Sequence, residues 1–210
     1  ARGVHEIMMT QLFAADPLPA PDDFDILVVM GGPMSVHDED RYAWLAGEKA
    51  LVSECLRTGQ FVLGVCLGSQ VIAECLGAGV RRNRWKEIGW MPLKIAGTGG
   101  SLLEDLPDGA TVFHWNGETY DLPPGAALLA SSEACEVQAF EHASALGLQF
   151  HLEAGREGVE ALVRDEVAAI LPDLRRYRKD LQGKRAAVYT GGAFKAFSLV
   201  RSLRTLGMKT

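Results

Sequence analysis

The sequence lacks any long apolar run: no stretch of its 210 residues approaches the roughly 20 that a membrane-spanning helix needs. No secretory signal peptide is visible, although the sequence begins with Ala1 rather than Met. Basic residues are also few, since 21 Lys and Arg against 27 Asp and Glu leave a net charge of −6. We therefore expect neither membrane insertion nor a nucleic-acid surface, because phosphate binding requires clustered Lys and Arg.

A local exception to the acidic balance is the basic run Arg81-Arg82-Asn83-Arg84-Trp85-Lys86. Basic side chains beside an aromatic residue are able to bind an anion or an acidic partner. A run of this kind is more often a solvated loop, which is the interpretation we favour.

Cysteine is sparse and shows no pairing pattern. The four cysteines, Cys55, Cys66, Cys75 and Cys135, include no C-x-x-C pair and no histidine at zinc-binding spacing. We therefore expect no metal site and no cofactor. Cys55 and Cys75 fall among helical apolar residues, which indicates small buried side chains. A reactive unpaired cysteine fits a reducing cytoplasm, the predicted location, better than an oxidising compartment.

Cys66 occupies the most informative motif that is present. It lies within residues 64–70, Gly-Val-Cys-Leu-Gly-Ser-Gln, directly after the apolar run 61–63. Gly64 and Gly68 allow a sharp strand-to-helix turn, the geometry of a nucleophile elbow. Helix N-terminal N–H groups stabilise an anion, so we expect this position to favour the thiolate. An isolated cysteine after a strand is usually a core residue, but the glycine frame favours a nucleophile.

A second motif, His151-Leu152-Glu153, follows the mostly apolar segment 146–150, which is a predicted buried strand. In an extended segment, side chains two residues apart share a face, so His151 and Glu153 are predicted to face one site. With Cys66 they make a candidate Cys-His-Glu triad, in which His151 is base and then acid and Glu153 orients the imidazole. His114 lacks a carboxylate two residues on, and we interpret it as structural or as part of the rim.

Apolar segments alternate between strand-like and helix-like patterns. Residues 4–9 and 25–30 are predicted strands, the second a continuous apolar run typical of a strand buried on both faces. A helical stripe beginning at Trp44 and ending at Gly59 follows. This alternation predicts an α/β fold with a mostly parallel sheet and ligands at the carboxyl ends of its strands. From about 86 to 145, short apolar stretches with Gly and Pro turns predict an antiparallel excursion.

Four segments together resemble the class I, or triad-type, glutamine amidotransferases, and most closely their stand-alone GMP-synthase-like members. They are Met30-Gly31-Gly32-Pro33-Met34-Ser35, the cysteine elbow, Phe113-His114-Trp115 through Leu122-Pro123-Pro124-Gly125-Ala126, and Gln138-Ala139-Phe140 leading to Gln149-Phe150-His151-Leu152-Glu153. The resemblance spans about residues 4 to 170. It departs at Leu152, where many members carry proline, a position whose side chain we expect to point away from the site.

The resemblance implies a flavodoxin-like three-layer sandwich and hydrolysis of the γ-carboxamide of glutamine through a glutamyl thioester on Cys66. The oxyanion would be bound by the N–H groups of Gly32 and Leu67, although the Gly-Gly-Pro turn is also interpretable as a turn alone. Gln70 is predicted to contact the substrate or to support the elbow. The implied partners are glutamine and a synthetase or other acceptor subunit in trans, because no ATP-pyrophosphatase motif is present.

Other functions stay open from the residues alone. The same triad would serve a γ-glutamyl hydrolase that channels no ammonia, or a related cysteine peptidase. A binding or regulatory module that keeps the fold without turnover is a third alternative. Release of ammonia from glutamine separates the first interpretation from these.

The ends of the chain depart from the family pattern. We predict an amidotransferase domain over residues 1–172 that lacks the βα unit with which members usually open, followed by a linker over 173–183. Residues 184–210 are predicted as an extra βα unit, and they resemble a segment of the nitrogenase component 1 and cofactor-scaffold family. Two interpretations stay open: this unit completes the same sheet, as in a circular permutant, or it marks a fragment or fusion boundary.

Overall fold

Eight strands and two α-helices lie in the part of the chain that the structure describes, residues 6–96, 103, 105–155, 157–159 and 182 of a computed structural model. In chain order the strands and helices are β1 (Ile26–Val29), α1 (Trp44–Thr58), β2 (Phe61–Val65), α2 (Leu67–Cys75), β3 (Val80–Pro92), β4 (Lys94–Ile95), β5 (Thr111–Tyr120), β6 (Ala127–Ser131), β7 (Ala139–His142) and β8 (Ala145–Leu148). Two short 3₁₀ helices, Leu12–Ala14 and Pro21–Asp23, precede β1. The chain divides into two units, Ala1–Glu153 and Ala154–Thr210, and nearly all described residues belong to the first.

The central sheet has six strands in the order β1-β2-β8-β7-β6-β4. Strands β1, β2 and β8 are parallel neighbours, and α1 and α2 each follow one of them. The parallel register brings the carboxyl ends of these strands to one edge of the sheet, where Val29 pairs with Gly64 and Val65 with Leu148. The predicted α/β fold is therefore confirmed, and its carboxyl edge carries Cys66 directly after β2.

The two faces of this sheet pack against different layers. On one face, α1 and α2 bury Val52, Cys55 and Ile72 against Val62 of β2. On the other face, side chains such as Leu146 and Phe150 pack with residues of the antiparallel part, among them Val112, Leu93 and Leu129. Alternate strand residues thus face opposite cores, which fixes the register of each strand.

The predicted antiparallel excursion is also present. Strands β3 and β5 form a separate two-stranded ribbon, and β4, β6 and β7 extend the main sheet with antiparallel pairs up to β8. The ribbon begins earlier than predicted, because β3 starts at Val80. The run 81–86, interpreted above as a solvated loop, therefore lies in a strand that changes register between Arg82 and Glu87. Its basic side chains are exposed, so the solvated character was correct and the loop assignment was wrong.

The strand predicted over residues 4–9 is wrong for the residues that the structure describes. Residues 6–9 form no strand, and Ile7, Met8 and Met9 are exposed. Apolar residues make a strand only where their backbone N–H and C=O groups have a ladder partner. Among the described residues the ladder partner of β1 is β2, and residues 6–9 pair with no strand.

Burial of the second predicted strand on both faces is also wrong. Val29 is buried, but Ile26 and Val28 are 58% and 50% exposed. The cause is position, since β1 is the edge strand of the described sheet and α1 and α2 cover only one of its faces.

Three predictions fall largely outside the described residues: the end of the amidotransferase domain near 172, the linker over 173–183 and the βα unit over 184–210. They stay predictions. None of the helices within the described ranges is long and apolar enough to cross a membrane.

Two glycines let α2 approach the sheet closely enough to hold Cys66 at its edge. A Cβ on Gly68 would overlap the carbonyl oxygen of Val29, and a Cβ on Gly64 would lie 2.5 Å from the carbonyl of Gly68. Both obstacles are backbone atoms, which cannot move aside as a flexible side chain does. The glycine frame predicted from the sequence is therefore a steric requirement of the packing.

Gly68→Ala is expected to lower the free energy of unfolding by about 2–3 kcal/mol, because the added methyl group overpacks the α2–β1 contact. This cost exceeds the roughly 1 kcal/mol that alanine adds to helix propensity. Urea denaturation followed by circular dichroism measures it. Gly117→Ala is the control, since a Cβ there meets only the flexible Lys86, at 3.5 Å, and we expect a change within about 0.5 kcal/mol. Equal stability of the two variants would contradict the tight packing at Gly68.

Candidate active site

Cys66 lies at a strained turn between β2 and α2. Its backbone has φ +54° and ψ −111°, a conformation that non-glycine residues rarely adopt and that costs about 1–3 kcal/mol. Hydrogen bonds hold it there: Cys66 N–H donates to Leu148 O at 2.7 Å, and Ser69 Oγ donates to Cys66 O at 2.7 Å. The predicted strand–turn–helix geometry is thus present, with the thiol at the carboxyl edge of the sheet.

The surroundings of Cys66 oppose the thiolate that the sequence predicts. The residue is only 8% exposed, and burial raises its pKa to about 11. A hydrogen bond from the Leu67 N–H lowers the pKa, and the Glu153 carboxylate raises it, both by less than burial. Cys66 Sγ–H donates to the backbone carbonyl of Trp115, 3.7 Å away. The helix N-terminus was correctly located, but desolvation outweighs its stabilisation of the anion.

His151 and Glu153 are in direct contact. His151 Nδ1 and Glu153 Oε1 are 2.6 Å apart, so the carboxylate fixes the imidazole through one ring nitrogen. The backbone N–H of His151 donates to Phe113 O at 2.8 Å, an isolated antiparallel bridge to β5. This bridge lies beyond β8, which ends at Leu148, so His151 follows the strand rather than belonging to it.

Gly31 marks the volume that Cys66 and His151 share. A Cβ built on Gly31 would lie 3.6 Å from Cys66 Sγ and 3.5 Å from His151 Cε1. The two side chains therefore border one methyl-sized space above the Gly-Gly turn. No hydrogen bond joins the thiol to the imidazole within the described part of the chain, an arrangement common in ligand-free sites whose contacts tighten when substrate binds.

The other predicted site residues are Gly32, Leu67 and Gln70. Leu67 directly follows Cys66, and its Cδ2 lies 3.3 Å from where a Cβ on Gly32 would be. The same Gly32 position touches the Met34 sulfur. The two candidate oxyanion residues are therefore neighbours. Gln70 is 4% exposed, and its Nε2 donates to Gln149 Oε1 at 3.0 Å.

His114 lies away from solvent rather than on an open rim. It is fully buried beside Glu87, with Nδ1 3.9 Å from a carboxylate oxygen. Burial lowers the pKa of His114 more than Glu87 raises it, so the imidazole is neutral at pH 7. This environment favours the structural interpretation of His114.

Comparison with known proteins identifies the family. The sequence profile described as glutamine amidotransferase class-I matches residues 6–168. The chain belongs to this family. Its amidotransferase region includes every residue of the candidate site, from Gly31 to Glu153.

Individual relatives agree with this family assignment. The chain is 34% identical over 188 residues to the glutamine amidotransferase-like protein YfeJ of Salmonella typhimurium, covering 86% of this chain and 75% of that protein. It is 34% identical over 152 residues to a GMP synthase [glutamine-hydrolyzing] of Mycobacterium marinum, covering 71% of this chain but 26% of the synthase. A crystal structure of a Thermotoga maritima glutamine amidotransferase superimposes with a TM-score of 0.71 at 29% identity, covering 94% of this chain and 85% of that one. The match thus spans about a quarter of the length of the GMP synthase.

Metal-ligating side chains do not gather at the amidotransferase site. Among the described residues, no group of three or more His, Cys, Asp or Glu side chains is arranged to hold a metal ion.

Sequence reasoning missed three contributors to the site. The Trp115 carbonyl receives the thiol hydrogen bond, the Phe113 carbonyl anchors His151, and Gln149 pairs with Gln70. Backbone carbonyls carry no residue-specific pattern, so the first two were not identifiable. Gln149 was identifiable, since a polar residue inside an otherwise apolar segment requires a buried partner.

Alkylation of Cys66 by iodoacetamide is expected to accelerate about tenfold per pH unit between pH 7 and 10, with a midpoint near pH 11. The sign follows from burial, which raises the pKa of the thiol and leaves little thiolate at neutral pH. Peptide mass spectrometry distinguishes Cys66 from the other thiols, and Cys66→Ala removes the labelled peptide. A rate already at its plateau by pH 7 would show instead that Cys66 is a thiolate in the resting protein.

Proposed function

We propose that this protein is a glutaminase of the amidotransferase type, which hydrolyses the γ-carboxamide of glutamine and delivers ammonia to an acceptor in trans. Cys66 is the nucleophile, His151 the general base and acid, and Glu153 the residue that orients the imidazole. The observation that carries the proposal is the 2.6 Å His151–Glu153 pair bordering the same small volume as the Cys66 thiol.

The first half of the reaction forms a thioester. As glutamine enters, His151 takes the proton of the Cys66 thiol, and the sulfur attacks the carboxamide carbon. The carbonyl π electrons move to oxygen and give a tetrahedral oxyanion. The imidazolium then protonates the amide nitrogen, the carbon–nitrogen bond breaks, and ammonia leaves a glutamyl thioester on the enzyme.

The second half regenerates the thiol. His151 removes a proton from water, and the resulting hydroxide attacks the thioester carbon. Collapse of this second tetrahedral species breaks the carbon–sulfur bond and releases glutamate, and the sulfur regains its proton from the imidazolium. Glu153 stabilises the positive charge that His151 carries in both halves.

Because the pKa of the resting Cys66 thiol is high, the reaction needs a base that removes the thiol proton. A buried thiol at neutral pH needs a nearby acceptor for its proton at the moment of attack, and Nε2 of His151 is the ring nitrogen left free by the bond to Glu153. The developing oxyanion needs fixed donors, and the backbone N–H groups of Gly32 and Leu67 are our candidates. Gly32 and Leu67 lie next to each other, and Leu67 directly follows Cys66 in the chain.

The relatives support glutamine as substrate and a synthetase as acceptor. The Mycobacterium marinum relative is named as a glutamine-hydrolyzing GMP synthase, and the match covers only 26% of its length. Most of the length of that GMP synthase therefore lies outside the match. We therefore propose that the ammonia acceptor lies outside the amidotransferase region.

Cys66→Ala is expected to abolish ammonia release from glutamine, because no other group forms the thioester. His151→Ala should lower kcat/KM by about 10²- to 10⁴-fold, the contribution of a general acid–base group. Glu153→Gln should lower it about 10- to 100-fold, since a neutral amide replaces a charged hydrogen bond. Coupled glutamate dehydrogenase measures the released ammonia.

Cys75→Ala is the matched control, because Cys75 is a second thiol at the far end of the same helix. It should retain full activity. Mass spectrometry with an electrophilic glutamine analogue adds an independent readout: labelling confined to Cys66 and competed by glutamine is expected. A folded protein that is neither labelled nor releases ammonia would contradict the proposal, and cleavage of γ-glutamyl peptides without glutamine hydrolysis would favour a hydrolase of another class.

A further inference from the structure

Glu87 is a buried carboxylate on the β3–β5 ribbon. It is 2% exposed, whereas its neighbours on β3, Lys86 and Ile88, are exposed. Taking a carboxylate out of water is costly unless hydrogen bonds replace the water. The contacts of Glu87 therefore indicate what its burial achieves.

Both carboxylate oxygens of Glu87 accept hydrogen bonds from the main sheet. Ser132 directly follows β6, and its Oγ donates to Glu87 Oε1 at 2.6 Å. Gln138 directly precedes β7, and its Nε2 donates to Glu87 Oε2 at 2.7 Å. Hydrogen bonds to a carboxylate are roughly twice as strong as those between neutral groups. Glu87 thus joins the ribbon to two strands of the main sheet.

The ribbon carries the two backbone carbonyls that contact the catalytic pair. Phe113 O accepts the hydrogen bond of the His151 N–H at 2.8 Å, and Trp115 O lies 3.7 Å from Cys66 Sγ. Both carbonyls belong to β5. A shift of the ribbon against the main sheet would move both carbonyls, whereas Cys66 would stay with β2 and α2.

Glu87 lies opposite this part of β5. It pairs with Asn116 across the ribbon, and its Oε2 is 3.9 Å from His114 Nδ1. His114 is the residue between the two carbonyls. The bonds from Ser132 and Gln138 consequently hold the ribbon where it meets the site.

We propose that Glu87 is a positioning residue, which holds the ribbon against the main sheet and so sets the two β5 carbonyls beside the catalytic pair. The proposal rests on the proposed function, in which His151 and Cys66 exchange a proton. Glu87 itself makes no contact with substrate in this role. A misplacement of about 1 Å between reacting groups costs on the order of 10²-fold in rate, so a small shift of the ribbon has a measurable effect.

The first variant, Glu87→Met, removes both acceptors while it keeps a similar side-chain volume. Gln138 Nε2 then retains only its longer bond to Ser132 Oγ, at 3.1 Å. We expect kcat for glutamine hydrolysis to fall roughly 10- to 100-fold. Amide hydrogen exchange at His151 should become about tenfold faster or more, because its N–H loses a well-placed acceptor on the ribbon.

Glu87→Gln is the conservative variant that should restore the function. Its amide oxygen can accept the bond from Gln138, and its amide N–H can donate to Ser132 Oγ. The Ser132 hydroxyl hydrogen then turns to the Cys135 carbonyl, 3.4 Å away. Since both links persist, kcat should stay within about threefold of the wild type. A glutamine variant as impaired as the methionine variant would show that the charge of Glu87 acts, not its hydrogen bonds, and would overturn the proposal.

Val52→Ala controls for general loss of stability. Val52 is fully buried on α1, and among the described side-chain hydrogen bonds none joins α1 to the ribbon. This variant and Glu87→Met should each lose several degrees of melting temperature, but only Glu87→Met should lose kcat. Equal losses of kcat, or equal exchange rates at His151, would show that activity follows stability, contrary to the proposal.

A second substrate distinguishes failure of the two proposals. Acylation of Cys66 by 4-nitrophenyl acetate transfers the acetyl group to sulfur and releases 4-nitrophenol, with the thiol proton passing through His151, but it needs no glutamine pocket. A wild-type protein that shows this burst without releasing ammonia from glutamine contradicts the proposed function. The burst rates of the Glu87 variants, with Cys66→Ala as background, then decide on the positioning role. Absence of both reactions in the folded protein removes both proposals.

Discussion

The close approach of α2 to the sheet is the constraint on which the site depends. Only glycines at positions 64 and 68 let the helix backbone reach Val29, and this approach holds Cys66 in its positive-φ turn. The strain at Cys66 is sustained because the elements on either side are packed and hydrogen-bonded. A helix set further from the sheet would leave the thiol without its contacts to β5.

Burial leaves little of the Cys66 thiol in its reactive thiolate form at neutral pH. The dry surroundings that raise the pKa of Cys66 also strengthen every interaction that forms around it on binding. In our proposed function, reactivity is conditional on proton transfer to His151, which is held by the Phe113 carbonyl and the Glu153 carboxylate. A protonated resting thiol also limits side reactions with other electrophiles, since the thiolate is the reactive form.

Predictions that depend on residues close together along the chain are confirmed, and those that depend on distant residues are wrong. The elbow around Cys66, the helix ending at Gly59 and the antiparallel excursion follow from local glycine placement and apolar periodicity, and the structure contains all three. The strand expected over 4–9 is wrong for its described residues 6–9, and the double-sided burial of 25–30 is wrong, because both require partners far along the chain. The start of the basic run 81–86 is in a strand for the same reason, because Arg81 and Arg82 pair with β5, whereas residues 83–86 lie where the register shifts.

By itself, the sequence determined the chemistry available to this protein: one cysteine in a glycine frame, one His-x-Glu pair, and an α/β alternation that sends both toward a sheet edge. The tertiary structure decided the protonation of Cys66 and the surroundings in which the pair acts. It also brought Trp115 and Gln149 to the site. The physical reason is that motifs arise from neighbours along the chain, whereas desolvation and buried hydrogen bonds arise from neighbours in space.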